Sequence, residues 1–397
     1  MIQHLPITGL GCICAAGPDV QSSLTSMLRG ERHPAPALRF ATDHRPQLPV
    51  FEVPQNYLTD DLPPEADCLR TSQLAMVAAA EALRGCGRTM VELQTLRVGV
   101  CIGTTVGSAM NNEEFYRQFR QGEEPEMGPI NRYLRSNPAA TVAAHFQLKG
   151  PVATLVNACS SGTDAIGLAA SWLRAGLCDL ALAGGADELC RTTFNGFASL
   201  QIAAAEPVRP FAAERKGLNL GEGAGMLLLG HPDIVREGER VQGWLRGYGS
   251  ATDAYHLTAP HPEGAGLRRA IAEALEQAAC RPEDIAFINA HGTGTPDNDR
   301  VESRVLAELF AGIPFVSSKG YTGHTLGAAG GIEAVITLAS LNAGEVPASI
   351  GCEPPDAELP ALPERRTFPV TGGLAISESL AFGGNNSLVI LEGGGAS

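Results

Sequence analysis

Three things are missing from this chain of 397 residues. No stretch approaches the ~18 apolar residues of a membrane-crossing helix, so no membrane span is expected. No Lys/Arg cluster relieves a formal charge of −14, which makes nucleic acid a poor partner and leaves any acidic partner to a local basic patch. No second close cysteine pair completes a zinc set: ten cysteines are scattered, and only Cys12 and Cys14 lie near each other, as C-x-C on an apolar segment. Such thiols read as reduced, buried small hydrophobes, a bland reading that a functional cysteine has to beat. The opening MIQHLPITGLG lacks a basic segment followed by an apolar core, so no secretory signal is read and the cytoplasm is the expected compartment.

What is present is enough apolar side chain for a large core, 44% of residues, and 46 glycines that let helices lie close on strands. ITGLGCIC (7–14), RVGVCIGT (97–104), TLVNA (154–158), LALAGGAD (180–187), GAGMLLLG (223–230), VQGWLRGYGSA (241–251), IAFINAHGTGT (285–295) and SLVILEG (387–393) read as strands, the last but one leaving into a loop. SQLAMVAAAEAL (72–83), residues 161–175, GLRRAIAEALEQAA (266–279) and GIEAVITLASLNAG (331–344) read as helices. The alternation predicts an α/β protein with largely buried sheets. The halves echo each other: Cys159 and His324 each precede a helix dense in Ala and Gly that ends in A-G. An internal duplication packed face to face is expected, with the Pro-rich stretches 33–64 and 346–369 as irregular excursions.

Four polar segments need a reason. In VNACSSGTDAIG, Cys159 precedes a helix start, where unpaired N–H groups and the dipole favour a thiolate; a core thiol in a strand-to-helix turn is the competing reading. In NAHGTGTPDNDRVES (289–303), Gly292 and Gly294 admit a ligand close to the backbone, Thr293 and Thr295 offer hydroxyls, and Pro296 opens a helix below His291. In SSKGYTGHTLGAAGG (317–331), Lys319 and His324 sit among small apolar residues; a buried lysine needs a partner, and Glu302 is the candidate. In AFGGNNSLVIL (381–391), Phe382 stands before two glycines at a turn into the final strand.

Together with RPF…GEGAG (209–225), these segments occur in an order and spacing that resemble the elongating β-ketoacyl-[acyl carrier protein] synthases of the thiolase superfamily, over almost the whole chain. The resemblance implies a thiolase-like fold of two βαβαβαββ halves, 1–240 and 241–397, in five α-β-α-β-α layers. It makes Cys159 the acyl-accepting nucleophile and places His291 and His324 at the malonyl thioester. Lys319 with Glu302 becomes the buried ion pair that holds the loop of His324. Thr293 and Thr295 contact a phosphopantetheine arm, and Phe382 gates the acyl pocket. It also implies a dimer, with an identical chain or with a chain-length-factor-like relative lacking the cysteine. The acyl carrier protein, in acyl and malonyl forms, is the implied partner, and no cofactor is bound permanently.

The chemistry suits the residue types. A thiolate is a soft nucleophile that can later leave. The backbone N–H groups of Cys159 and Phe382 are suitable oxyanion donors, and two histidine N–H groups suit the enolate left when a malonyl thioester loses CO2. A degradative thiolase would carry its nucleophile nearer the N-terminus, and a priming synthase would use a Cys-His-Asn set. A non-catalytic chain-length partner would lack Cys159.

The chain also departs from the family pattern. Ala212, Lys216, Leu218 and Asn219 replace an acid pair and an apolar pair, and Asn385 stands in FGGNN for a threonine. RQGEEPEMG (120–128) is acidic where relatives often carry basic carrier-docking residues. Asn111 and Asn112 replace apolar residues beside the acyl chain, so Asn112 is expected to face substrate and to favour unsaturated or polar chains of a polyketide or aryl-polyene pathway. Capping of a helix that begins near Glu113 is the other reading.

Overall fold

The computed structural model describes residues 4–44, 46–58, 62–63, 68–236 and 239–394. Residues 1–3, 45, 59–61 and 64, which belong to the opening segment and the first Pro-rich stretch, lie outside the described residues. Five strands come from the first half of the chain: β1 (Leu5–Cys14), β2 (Val98–Gly103), β3 (Val152–Leu155), β4 (Leu180–Asp187) and β5 (Gly223–Gly230). The second half supplies β6 (Gly243–Thr252), β7 (Ile285–Asn289), β8 (Phe315–Val316), a small ribbon of β9 (Glu345–Val346) with β10 (Phe368–Pro369), and then β11 (Leu374–Ala381) and β12 (Asn385–Gly393).

One ten-stranded sheet runs β3-β2-β4-β5-β1-β6-β12-β11-β7-β8. Leaving out the ribbon, each half has the same internal order, with its third strand at the outer edge and its first strand at the centre. Strand directions match as well. In the first half β2 runs parallel to β3 and β4, while β5 is antiparallel to β4 and β1. In the second, β7 runs parallel to β8 and β11, while β12 is antiparallel to β11 and β6. The halves join where Leu5, Pro6 and Ile7 pair with Leu245, Trp244 and Gly243.

Helices Ser161–Arg174 and Ala329–Ala343 lie between the half-sheets in one hydrophobic cluster with residues of both. Helices Arg70–Gly85 and Pro138–Phe146 cover the outer face of the first half-sheet. Helices Ala265–Ala278 and Pro296–Leu309 cover that of the second, which completes five layers. Small residues make the middle layer possible. A Cβ on Gly162 would sit 2.8 Å from Gly327 O and Gly331 N, so the two central helices meet through glycine.

Three sequence expectations change. Strand β3 ends at Leu155, and Asn157 and Ala158 form a turn with Ala158 at φ +49°. Strand β11 carries Ser377, Glu378 and Ser379 in its buried run, and these polar residues hid it from an apolar pattern. Leu326–Ala343 is an 18-residue segment of mean hydropathy 1.3, long and apolar enough to cross a membrane; 89% of it is buried inside the fold.

Candidate active site

Within each half-sheet, parallel strands put their C-terminal ends on one side, and the polar segments follow those ends: Cys159 after β3 in the first half, and His291 after β7, Lys319 and His324 after β8 and Phe382 after β11 in the second, the two sets meeting because the halves pack on each other. Cys159, His291, His324, Thr293, Thr295 and Phe382 line one cavity of about 160 Å³, with Phe197, Ile202 and Leu218 among its apolar walls.

Cys159 is presented by a strained turn. Ser161 Oγ donates to Ala158 O (2.6 Å) and accepts from Asn157 N (2.7 Å), holding Ala158 left-handed just before helix Ser161–Arg174. Burial pushes the thiol up to about 11, while the Lys319 charge and the nearby Phe382 backbone N–H pull it down. Between the two readings of the sequence, burial is the larger influence here, set against the N–H groups of the helix start. Phe382 stacks on Phe197 with centroids 5.6 Å apart.

The two imidazoles lie edge to face, 5.2 Å between centroids. Lys319 Nζ meets His291 Nδ1 at 3.1 Å, and an ammonium can only donate, so Nδ1 accepts and the ring proton sits on Nε2. Leu326 N–H donates to His324 Nδ1 at 3.2 Å, which fixes the same tautomer there. Burial, then the Lys319 charge, holds both rings well below the usual histidine range. The pair is neutral, with one N–H each left for the cavity.

Lys319 does not pair with Glu302. Its ammonium bonds to Glu333 on helix Ala329–Ala343, both side chains being fully buried. Burial pushes Glu333 up to about 7, against the pull of Lys319. Glu302 instead accepts the backbone N–H groups of His291 and Gly292 (2.8 Å for Gly292) and an Asn298 N–H (3.1 Å). It supports the His291 loop rather than that of His324. The reason is reach: helix Pro296–Leu309 begins directly below the HGTGT loop, whereas Glu333 comes from the helix that follows His324. Gly292 adopts φ +42°, and a Cβ there would lie 2.5 Å from Ser317 Cβ. Thr293 and Thr295 share a hydroxyl hydrogen bond of 2.8 Å at the cavity wall.

Asn112, expected across an acyl pocket that is often the other subunit's, lies away from the Cys159 cavity of its own chain. Helix Glu113–Arg120 does begin directly after it, but the Asn112 side chain makes no cap bond and accepts from Asn111 Nδ2 at 2.8 Å. Asn111 also donates to Pro129 O, so the pair faces its own loop and lies outside the Cys159 cavity of this chain.

Sequence reasoning missed several contributors. Glu333 was visible as a lone acid in an apolar helix. Asn219, noted only as a departure, accepts His324 N–H on its carbonyl at 2.7 Å. Glu378 sits fully buried on β11 beside Glu302; burial first, then that charge, holds its carboxyl far above the usual range and so protonated.

A thiol, two neutral imidazole donors and a backbone donor around one cavity suit acyl-transfer chemistry through an enolate. The sequence matches the β-ketoacyl synthase N-terminal domain over residues 4–232 and the C-terminal domain over 242–353. A 3-oxoacyl-[acyl-carrier-protein] synthase 2 of Synechocystis is 32% identical, the match covering 97% of this chain and 96% of the relative. Among solved structures, the ishigamide ketosynthase/chain length factor matches with a TM-score of 0.90 at 30% identity, covering 98% of this chain and 99% of that one. The ketosynthase ApeO in complex with its chain length factor ApeC, from Xenorhabdus doucetiae, matches at 0.85 and 30%, covering 98% of each. The chain belongs to the β-ketoacyl synthase family. It is a condensing acyltransferase with a thiolase-like fold, joining an acyl group to a malonyl unit with loss of CO2 in fatty-acid or polyketide chain elongation.

Proposed function

We propose that Cys159 holds the growing acyl group as a thioester and that His291 and His324 bind the thioester oxygen of the malonyl unit. The observation that supports this best is the pair of neutral imidazoles, each with its proton on Nε2, beside the sulfur. In loading, the Cys159 sulfur attacks the incoming thioester carbonyl, its proton passes to the departing thiol, and the Cys159 and Phe382 N–H groups hold the oxyanion. In condensation, CO2 leaves the malonyl unit and two N–H donors stabilise the enolate oxygen. The enolate carbon then attacks the Cys159 thioester, and the sulfur leaves as a thiolate that takes a proton from solvent water. Lys319 keeps His291 in the donating tautomer, Glu333 neutralises Lys319, and Glu302 fixes the His291 loop.

The partner in this reading is an acyl carrier protein whose phosphopantetheine arm enters past Thr293 and Thr295, with Phe382 as the gate. Residues 1–240 then form the nucleophile-bearing half and 241–397 the histidine-bearing half of an enzyme that works in the cytoplasm. The exposed edge of β3, with Val152 at 43% and neighbouring Val156 at 67% exposure, suits pairing with a second subunit, either a copy or a chain-length-factor-like relative. The presence of Cys159 favours the catalytic role over the cysteine-lacking one.

Radiolabelled acyl carrier protein should leave its label on Cys159. His291→Ala and His324→Ala should still load while losing CO2 release by about 10²–10³-fold each. A label mapped to Cys101 or Cys190, or condensation near the wild-type rate in both variants, would overturn the reading.

A further inference from the structure

The turn that carries Cys159 is gripped by side chains with no part in the steps above. Asp164, buried in the first turn of helix Ser161–Arg174, accepts from Asn157 Nδ2, from Ser160 Oγ at 2.8 Å and from Tyr248 Oη at 2.8 Å. Asn157 and Ser160 flank the Ala158–Cys159 step, and Ser160 Oγ also reaches Asn157 O at 2.9 Å. Because Asn157 must present its NH2 to the Asp164 carboxylate, its amide oxygen faces the other way. There it accepts from Asn385 Nδ2 at 2.7 Å.

Asn385 closes the turn that holds Phe382. It pairs with Ala381 across the β11–β12 hairpin, and Gly383 and Gly384 between them adopt φ +84° and +79°. A turn this tight ties the Phe382 backbone N–H to the Asn385 side chain. The Phe382 N–H lies close enough to the Cys159 sulfur to pull on its proton. One ordered chain of hydrogen bonds therefore runs Asn385–Asn157–Asp164–Tyr248, from the gate turn through the nucleophile turn to β6.

We propose that Asn385 is a positioning residue for acyl transfer: its bond to Asn157 sets the spacing of the Phe382 N–H from the Cys159 sulfur, so the oxyanion site is complete only when the gate turn is seated. This rests on the reading of Cys159 as the acyl acceptor. When the turn lifts to admit a chain, the Asn385–Asn157 bond and the Phe382–Phe197 stack break together. Reseating restores the donor.

Two reactions at the same sulfur separate positioning from mere structure. Single-turnover acylation from an acyl carrier thioester passes through an oxyanion, whereas iodoacetamide alkylates by displacing iodide at a saturated carbon and builds none. Asn385→Ala and Asn157→Ala should each slow acylation about ten- to hundred-fold, while alkylation, compared at equal thiolate fraction from its own pH profile, stays within about two-fold. The double variant should be no slower than the worse single, because both remove one link. Asn385→Asp keeps the volume while placing an acceptor against the Asn157 oxygen, and should show the same split even if the alanine variant is poorly folded. Equal losses in both reactions, or single effects that multiply, would overturn the inference. Failure of the wild-type chain to load at Cys159 would instead overturn the reading on which it rests.

Discussion

The two halves of the chain share a strand order and directions, yet they have taken opposite shares of the chemistry. In the first, the element after the edge strand is Cys159, followed at once by helix Ser161–Arg174. In the second, the corresponding place holds Lys319 and His324, and a 3₁₀ turn at Leu326–Ala328 intervenes before helix Ala329–Ala343. Each site leans on a non-glycine residue in the left-handed region, Ala158 at +49° and Leu326 at +53°. The support differs. Hydroxyl and amide groups around Asp164 hold the cysteine turn, whereas the histidine side rests on the buried ionisable groups Lys319, Glu333 and Glu302, with the protonated Glu378 beside them. In the proposed reaction one half supplies the sulfur that carries the acyl group; the other supplies N–H groups whose orientation depends on a fixed ammonium. A common scaffold thus accommodates two electrostatic regimes because the middle layer, rather than either outer face, brings them together.

The largest effect should come from the charged side. Lys319→Met strands Glu333 in the core and frees His291 Nδ1, so stability should fall by about 3–5 kcal/mol and condensation by at least about 10²-fold. Lys319→Met/Glu333→Leu should regain most of the stability, measured by urea unfolding, without regaining condensation. Recovery of both would mean that the pair only fills space.

The cysteine side should reveal itself in pH dependence. A thiol raised to about 11 from its ordinary 9 favours the protonated folded form, so this contribution to stability is complete below about pH 9 and is lost as pH rises towards 11. Wild-type alkylation by iodoacetamide should accordingly keep climbing through pH 9, and Lys319→Met should shift the curve higher still. A plateau near pH 7 would show an activated resting thiolate and contradict the dominance of burial. The histidines run the other way: depressed pKa values add stability above about 6.5 that declines as pH falls below it.

The smallest effect is expected at Asn112. With its amide oxygen already satisfied by Asn111, Asn112→Ile should change the preference between a long saturated and a polyene acyl carrier by less than about two-fold. A larger swing in competition would place this side chain at the substrate, contributed across a subunit interface.

Much of this was legible in the sequence, for physical reasons that differ by element. Period and length exposed the helices and the fully apolar strands, and glycine-rich turns after strands marked where the chain opens to a ligand. Helix Pro138–Phe146 went unread although Asn137 caps it, Oδ1 accepting Ala140 N–H at 3.0 Å, because its short run of alanines carries little amphipathic signal. Strand β11 was hidden by its own buried polar residues. Partner choice was the weakest point: Lys319 needed an acid, but spacing along the chain could not say whether Glu302 or Glu333 would stand beside it. Only the crossing of two helices in three dimensions decides that. The two readings of the thiol stayed open for a related reason, since a helix N-terminus is local in the sequence and burial is not.

Helix Ala329–Ala343 has a consequence for how the chain is made. Its apolar surface is hidden on one side by β4 and β5 and on the other by β11 and β12. The first pair is synthesised before it, the second after it. Until residues 374–393 are in place, the flank that β11 and β12 cover in the finished fold has no partner from its own chain. Correct biogenesis therefore depends on the early half-sheet capturing that helix promptly. Chains truncated before Leu374 should be more prone to aggregate than the full chain, although the finished fold hides the surface responsible.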